Sequence, residues 1–361
     1  MTERLDWPRL GKLLREPHLQ RLAELSSAGH ELALVGGAIR DALLGRDPQD
    51  VDLVALRDLG AVIDAVEQQR GMRPTRIGDD FQDTHRFRWH GVAVDIAAAI
   101  GTLEDDLARR DFTINAMALR LPVAGEPRQA LVDPHGGLRD LRQRQLRPVS
   151  AATIAADPLR VMRGVRYAGD LPGFTLSDET RSMLSANAAA LEGVAAERVS
   201  NEWQAILASA GWSQALEVAW DIGVGAVTLG ARRTDAGARA WAAHEVRGGV
   251  TEDLLAGRLA AMLFDLATDG DPDSLATMLV ARRWPRELAR TASRAARWAG
   301  RRGVDDAGLA RLALYDSRAA LIAGQLAREV GAGGASRLAR LAQRAREPRW
   351  ITGADLRAHG M

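Results

Sequence analysis

Leu34-Val35-Gly36-Gly37-Ala38-Ile39-Arg40-Asp41, and shortly after it Asp50-Val51-Asp52, form the stretch on which the reading of this chain turns. The pattern predicts a buried strand over Glu31–Val35, a tight turn at Gly36 and Gly37, and a helix over Ala38–Leu44 that stops at Gly45. A second strand follows over Val51–Ala55. A strand that ends in a glycine pair and opens a helix gathers unpaired backbone N–H groups at one point, where a phosphate can sit. An ordinary tight turn reads the same way. Residues two apart on a strand share a face, so Asp50 and Asp52 aim both carboxylates at one spot. Two like charges so close repel unless a cation lies between them, and Mg²⁺ favours one or two carboxylates completed by phosphate oxygens. The bland alternative is a polar strand end with two solvated aspartates.

Outward from this stretch, Leu19, Leu22 and Leu25 repeat at helical spacing over His18–Ser27, and Leu59–Gln69 reads as another helix. Strands are expected over His85–His90 and Val92–Ala97, and a helix over Leu103–Arg110, which makes an α+β unit of about 120 residues. From Pro148 onward Ala, Leu and Arg recur at helical spacing, broken by glycines and prolines, so the rear is expected to be all-helical.

The string Arg109-Arg110-Asp111-Phe112-Thr113-Ile114-Asn115-Ala116, taken with Gly36–Asp41, Leu43-Leu44-Gly45 and Asp50-x-Asp52, resembles the tRNA nucleotidyltransferase and poly(A) polymerase family. The likeness is to the class II CCA-adding enzymes of the polymerase-beta superfamily. Asp133–Leu141 matches a third family motif; Asp157, Arg160, Arg163 and Arg166 match a fourth, whose first position departs from the family's Glu as Ala156. Glu197, Arg198 and Glu202 match a fifth, which in the family props the neck.

The resemblance implies an α+β, polymerase-beta-type head with a mixed sheet over residues 1–144, a helical neck over 145–210, and a helical body and tail over 211–361 that bind tRNA. It implies Asp50 and Asp52 as catalytic metal ligands for Mg²⁺, with Asp95 as a third carboxylate or as structural support. Gly36, Gly37 and Arg40 would grip phosphates, and Arg110, Asp111 and Asn115 would hold triphosphate and ribose. An Asp–Arg pair such as Asp157 and Arg160 offers the acceptor and the donors that a base edge needs, in place of a template.

The reaction so implied is template-free transfer from CTP, and for a complete end also from ATP, to the 3′ end of the tRNA acceptor arm. Only Ile96–Ala108 lies where family members that add the whole CCA carry a longer flexible loop. That gap favours addition of the two cytidines alone, with a separate A-adding enzyme acting on the same tRNA. Complete CCA addition, poly(A) polymerisation and a non-catalytic RNA-binding role remain the alternatives.

Composition narrows the chemistry independently. The 361 residues contain no cysteine, which excludes disulfides, thiolate catalysis and Cys-held zinc. The seven histidines have no metal-ligand spacing, so no phosphohydrolase centre is expected. No apolar run suits a spanning helix or a signal peptide, which implies a cytoplasmic protein with no membrane partner. Residues 281–361 carry 17 Arg against 7 Asp and Glu, while the chain as a whole is balanced at +1, so the front is acidic and the rear basic. Arg282, Arg283, Arg286, Arg290, Arg294, Arg297, Arg301 and Arg302, with Trp284 and Trp298 beside them, are the candidates for phosphate contacts, or equally a solvated basic face. Ile351–Gly360 resembles the start of the family's last conserved helix and stops where relatives continue, so the tail is expected to be either naturally short or cut.

Overall fold

The computed structural model describes residues 5–77, 83–230, 252–263 and 272–300, together with Ala319, Ile322 and Ala323. The chain divides into two compact units, residues 1–160 with 173–183, and residues 161–172 with 184–361.

The first unit opens with α1 (Trp7–Leu13) and α2 (Pro17–Ser27), each with a proline in its first turn, where a missing N–H costs a helix nothing. Then come β1 (Leu32–Val35), α3 (Gly37–Leu43), β2 (Asp50–Ala55), α4 (Leu59–Arg70), β3 (Thr75–Ile77), β4 (Thr84–Trp89) and β5 (Val92–Ala98). After α5 (Leu103–Ala108) and β6 (Ala118–Arg120), the short helices α6 (Pro127–Ala130), α7 (Gly137–Gln143) and α8 (Ala151–Ala156) follow.

The strands form one mixed sheet in the order β3-β4-β5-β2-β1-β6, in which only β2 and β5 run parallel. Ala33, Val35 and Val54 on one face pack with Leu103 and Leu107 of α5. Leu34, Leu53 and Ile96 on the other face are fully buried, and α2, α3 and α4 pack against the strands that carry them. Asp50 and Asp52 alternate in phase with Val54, so both point to the face that α5 covers.

The head expected to end at residue 144 runs further. Thr113 N–H donates to the Arg147 carbonyl (2.9 Å), Val149 N–H to the Asp111 carbonyl (3.0 Å), and Leu146 N–H to the Thr175 carbonyl (2.9 Å). These returns of the chain tie residues 145–149 and 173–175 into the first unit.

The described elements of the rear are helical, as expected from the sequence: α9 (Leu159–Asp170), α10 (Asp178–Ala188), α11 (Ala196–Ala208), α12 (Trp212–Asp221), α13 (Val224–Leu229), α14 (Glu252–Met262), α15 (Pro272–Ala281) and α16 (Arg286–Gly300). The chain passes between the units three times: within α9, between α9 and α10, and within α10. In the second unit Trp203 Nε1 donates to Thr228 Oγ1 (3.0 Å), while Arg258 donates to the Leu207 and Ser209 carbonyls at the end of α11 (2.5 and 2.8 Å). Burial holds the Arg258 guanidinium below its ordinary pKa. Among the described residues no helix is long and apolar enough to cross a membrane.

Candidate active site

The site is assembled at the point where β1 hands the chain to α3. Gly36 adopts φ 75° and ψ −134°, a conformation that side-chain-bearing residues avoid. A Cβ there would stand 3.1 Å from Arg110 Nη1 and 3.6 Å from Asp52 Oδ2. The glycine therefore lets a backbone turn pass between a guanidinium and a carboxylate.

Sheet register does the rest. Asp52 lies opposite Asp95 on β5, and Asp95 opposite Arg86 on β4, so the three side chains form one row on the face that α5 covers. Asp50 sits one step along, opposite Ala93. Asp50 is exposed and Asp52 half-buried. Arg86 clasps Asp95 with two parallel bonds, Nε to Oδ1 at 2.8 Å and Nη2 to Oδ2 at 2.7 Å. Those bonds, with the nearby charges of Asp50 and Asp52, raise the pKa of Arg86 above its ordinary value. Asp95 is thus brought beside Asp52, but its carboxylate is engaged by a cation of the protein's own. Among the described residues no set of three His, Asp or Glu side chains is arranged to hold a metal ion. Two carboxylates on one strand face suit Mg²⁺ when substrate phosphates complete the shell.

Around this row the arginines are held in place. Arg40 donates to both oxygens of Asp41 (2.9 Å each) and to Asn115 Oδ1 (2.5 Å), and its guanidinium lies over Gly37. Asn115 in turn donates to Asp111 Oδ1 (3.1 Å), which also accepts the Phe112 N–H (2.7 Å). The Gly36 amide donates to the Met117 carbonyl (3.2 Å). Arg110 Nη2 donates to Asp106 Oδ2 (3.0 Å) and Arg109 Nε to Oδ1 (3.3 Å), and Asp106 itself is buried.

The motif over Asp133–Leu141 has a structural role. Asp133 accepts the Gly137 and Leu138 N–H groups at the start of α7 (2.6 and 3.0 Å). The buried Asp140 accepts from Thr113 Oγ1 (2.6 Å) and Arg147 Nε (2.9 Å), which anchors the Arg-Arg-Asp segment from behind.

Asp157 and Arg160, at the end of the first unit, are both engaged. Asp157 Oδ1 accepts the Leu159 N–H (3.2 Å), and Arg160 Nη1 donates to the Thr153 carbonyl (2.9 Å). Arg163 and Arg166 belong to the second unit. Arg163 donates to the Tyr167 hydroxyl (2.9 Å), and Arg166 pairs with Glu202 at 3.3 Å and Asp170 at 4.0 Å. The Arg166 guanidinium thus lies beside two carboxylates of the second unit. Each step of three residues falls about 60° short of a full turn, so Arg166 is carried roughly 120° around the helix from Arg160. Glu202 holds Arg166 between helices α9 and α11, while Glu197 and Arg198 are exposed on the first turn of α11.

Of the rear arginines, Arg283, Arg286 and Arg290 are exposed, and Arg282 Nε donates to the Thr228 carbonyl (2.9 Å). Trp284 is buried in the second unit's core. Arg301, Arg302, the Trp298 side chain and Ile351–Gly360 lie outside the described residues.

Sequence reasoning passed over Asp41, Arg86 and Asp106. Asp106 stands three and four residues before Arg109 and Arg110, a helical spacing that was there to be read. Arg86 carried no local signal, since only strand register brings it to Asp95.

Residues 32–147 match the model of the poly A polymerase head domain, and residues 173–229 match that of the probable RNA- and SrmB-binding site of polymerase A. Among curated proteins, the CC-adding tRNA nucleotidyltransferase of Synechocystis is 39% identical over 196 residues, covering 54% of this chain and 46% of that protein. The CC-adding tRNA nucleotidyltransferase of Deinococcus radiodurans is 38% identical, covering 42% and 44%. The multifunctional CCA protein of Xanthomonas campestris is 37% identical, covering 54% and 49%. The chain spans about half the length of the curated relatives it matches.

Among solved structures, a Thermotoga maritima CCA-adding enzyme complexed with tRNA is similar over 97% of this chain and 89% of its own, with TM-score 0.65 and 21% identity. A tRNA-processing enzyme with CTP is similar over 94% and 95%, with TM-score 0.67 and 21% identity. At that identity the likeness is one of fold.

Proposed function

We propose that this protein is a tRNA 3′-terminal nucleotidyltransferase that adds two cytidines from CTP without a nucleic-acid template. The observation that carries the reading is the juxtaposition of Asp50 and Asp52 with the Gly36 turn and the Arg110 guanidinium at one corner of the head sheet. The tRNA 3′-hydroxyl attacks the α-phosphorus of CTP, a new P–O bond forms, and the bond to pyrophosphate breaks. Asp50 and Asp52 would hold Mg²⁺, which would supply charge neutralisation on the triphosphate and a lowered pKa for the attacking hydroxyl. Arg110, oriented by Asp106, faces the phosphates; Asp111 and Asn115, locked to each other and to Arg40, form a rigid wall for the sugar. Asp157 and Arg160 read the cytosine edge, and the exposed arginines Arg283, Arg286 and Arg290 track tRNA phosphates.

Two cytidines rather than a complete CCA is supported by the connection from β5 to α5. Only Ala99–Thr102 joins them, and the Thr102–Asp105 capping box pins its end. Thr102, through its hydroxyl and then its N–H, holds the Asp105 carboxylate below its ordinary pKa. A turn so short and so anchored is poorly suited to the movement that a change from CTP to ATP demands. The similarity to proteins named CC-adding enzymes favours the same reading, and the similarity to a multifunctional CCA protein keeps complete addition as the second.

The test is incorporation of labelled CTP into a tRNA lacking its terminal CCA, with Asp50→Asn and Asp52→Asn as variants. Both are expected to lose transfer while keeping the wild-type melting profile. Transfer retained in either would overturn the assignment of the metal ligands.

A further inference from the structure

The row Asp52–Asp95–Arg86 has a consequence for when a divalent cation can bind. Three carboxylates, Asp50, Asp52 and Asp95, share one sheet face, and a third carboxylate ligand would strengthen a cation site built on the other two. In this protein the third is not available. Both oxygens of Asp95 are taken by Arg86 at 2.8 and 2.7 Å, and the Asp95 side chain is only 14% exposed, so water does not compete freely for it. Arg86 enters from the neighbouring strand in exact register and is itself about half-exposed, so nothing in its packing obliges it to reach Asp95. Its positive charge also lies within electrostatic reach of Asp50 and Asp52.

We propose that Arg86 is a positioning residue that masks Asp95 and holds the cation site at two carboxylates, so that the divalent cation is retained only when a triphosphate brings oxygens of its own. The inference rests on the reading of Asp50 and Asp52 as the metal ligands given above. Its physical logic is one of charge balance. Two carboxylates next to a guanidinium attract a bare divalent cation weakly, whereas two carboxylates and a triphosphate hold it firmly. Masking thereby couples cation binding to arrival of the nucleotide, and it spares the site from capture by whichever divalent ion is abundant. An Arg86 that acted through its own positive charge alone, without masking Asp95, would raise affinity by the same factor when removed from Asp95→Asn as when removed from wild type.

The experiment measures Mn²⁺ binding to the full chain without nucleotide, by the loss of the free-ion electron paramagnetic resonance signal. Arg86→Gln and Arg86→Lys are compared with wild type, with Asp95→Asn and with the double variant Arg86→Gln/Asp95→Asn. Unmasking one unit charge at about 5 Å from a divalent ion is worth on the order of tenfold in affinity even at the dielectric of water. Arg86→Gln is therefore expected to bind Mn²⁺ about tenfold more tightly than wild type. The double variant should lose most of that gain, and Arg86→Lys should stay near wild type because it keeps the charge.

Circular dichroism melts establish that each variant is folded, and Arg86→Met, which also removes the charge, carries the comparison if Arg86→Gln is not. A tenfold gain in Arg86→Lys would then also count against charge masking. Unchanged affinity in a folded Arg86→Gln, or a gain that persists in the double variant, overturns the proposal. If affinity is unchanged while wild type transfers cytidine, masking fails and the functional reading stands; if affinity rises as expected while wild type transfers nothing, the masking stands and the functional reading falls.

Discussion

Replacing Gly36 by alanine perturbs the corner of the site at one atom, and the cost can be worked from the structure. At φ 75° and ψ −134° the residue occupies the mirror image of an extended conformation, and an L side chain there costs about 1–3 kcal/mol. The new Cβ would also stand 3.1 Å from Arg110 Nη1. The guanidinium end can yield, but doing so loosens its 3.0 Å bond to the buried Asp106, worth about 1 kcal/mol. The expected loss is about 2–4 kcal/mol in the first unit.

Hydrogen exchange of peptides over β1 and β2 reads the opening of that unit by itself. The loss corresponds to exchange roughly 30- to 1,000-fold faster. Two controls bracket it. Gly71→Ala, at φ 70° with nothing within 4 Å, pays only for a left-handed backbone, about 1 kcal/mol. Gly11→Ala lies inside α1 with only ordinary contact to Arg15 at 3.6 Å, and is expected to stabilise by about 0.5–1 kcal/mol. Exchange in Gly36→Ala no faster than in Gly71→Ala would refute the account of this turn.

Other perturbations test separate parts of the account. Asp140→Ala strips the buried acceptor from Thr113 and Arg147, and is expected to cost about 2–3 kcal/mol in urea unfolding, with Asp140→Asn recovering part of it. His18 is buried, its Nε2 has no hydrogen-bond partner, and burial lowers its pKa. The unfolded chain therefore takes up the proton first as pH falls, so stability is full above about pH 6.5 and declines below it. His18→Leu should flatten that decline in melts run from pH 7.5 to 5, and an undiminished slope would show that other groups cause it. Arg160→Ala is expected to raise misincorporation of UTP relative to CTP about tenfold or more, read by competition between the two triphosphates, while tRNA affinity stays unchanged.

How legible this was from sequence depended on the range of the interaction. Strands β1, β2, β4 and β5 and helices α2 to α5 announced themselves through local apolar pattern and punctuating glycines. Strands β3 and β6 are three residues each, too short to show a period, and they form because the sheet offers them an edge. The motif glycine at 36 was legible as a turn, but its closeness to both Asp52 and Arg110 comes from a register that no local pattern encodes. The same holds for Arg86, nine residues from Asp95 in sequence and directly opposite it in the sheet. The pairing of Arg166 with Glu202 was hidden in the same way, since the two lie on different helices.

The central claim is template-free extension of a tRNA 3′ end by CTP, and sequencing the product tests it most directly. Purified protein is given Mg²⁺ and a tRNA lacking its last three nucleotides, with CTP and ATP singly and together. The account predicts growth by two residues, both C, whether or not ATP is present. No extension with CTP, or a tract of A grown from ATP alone, would contradict it.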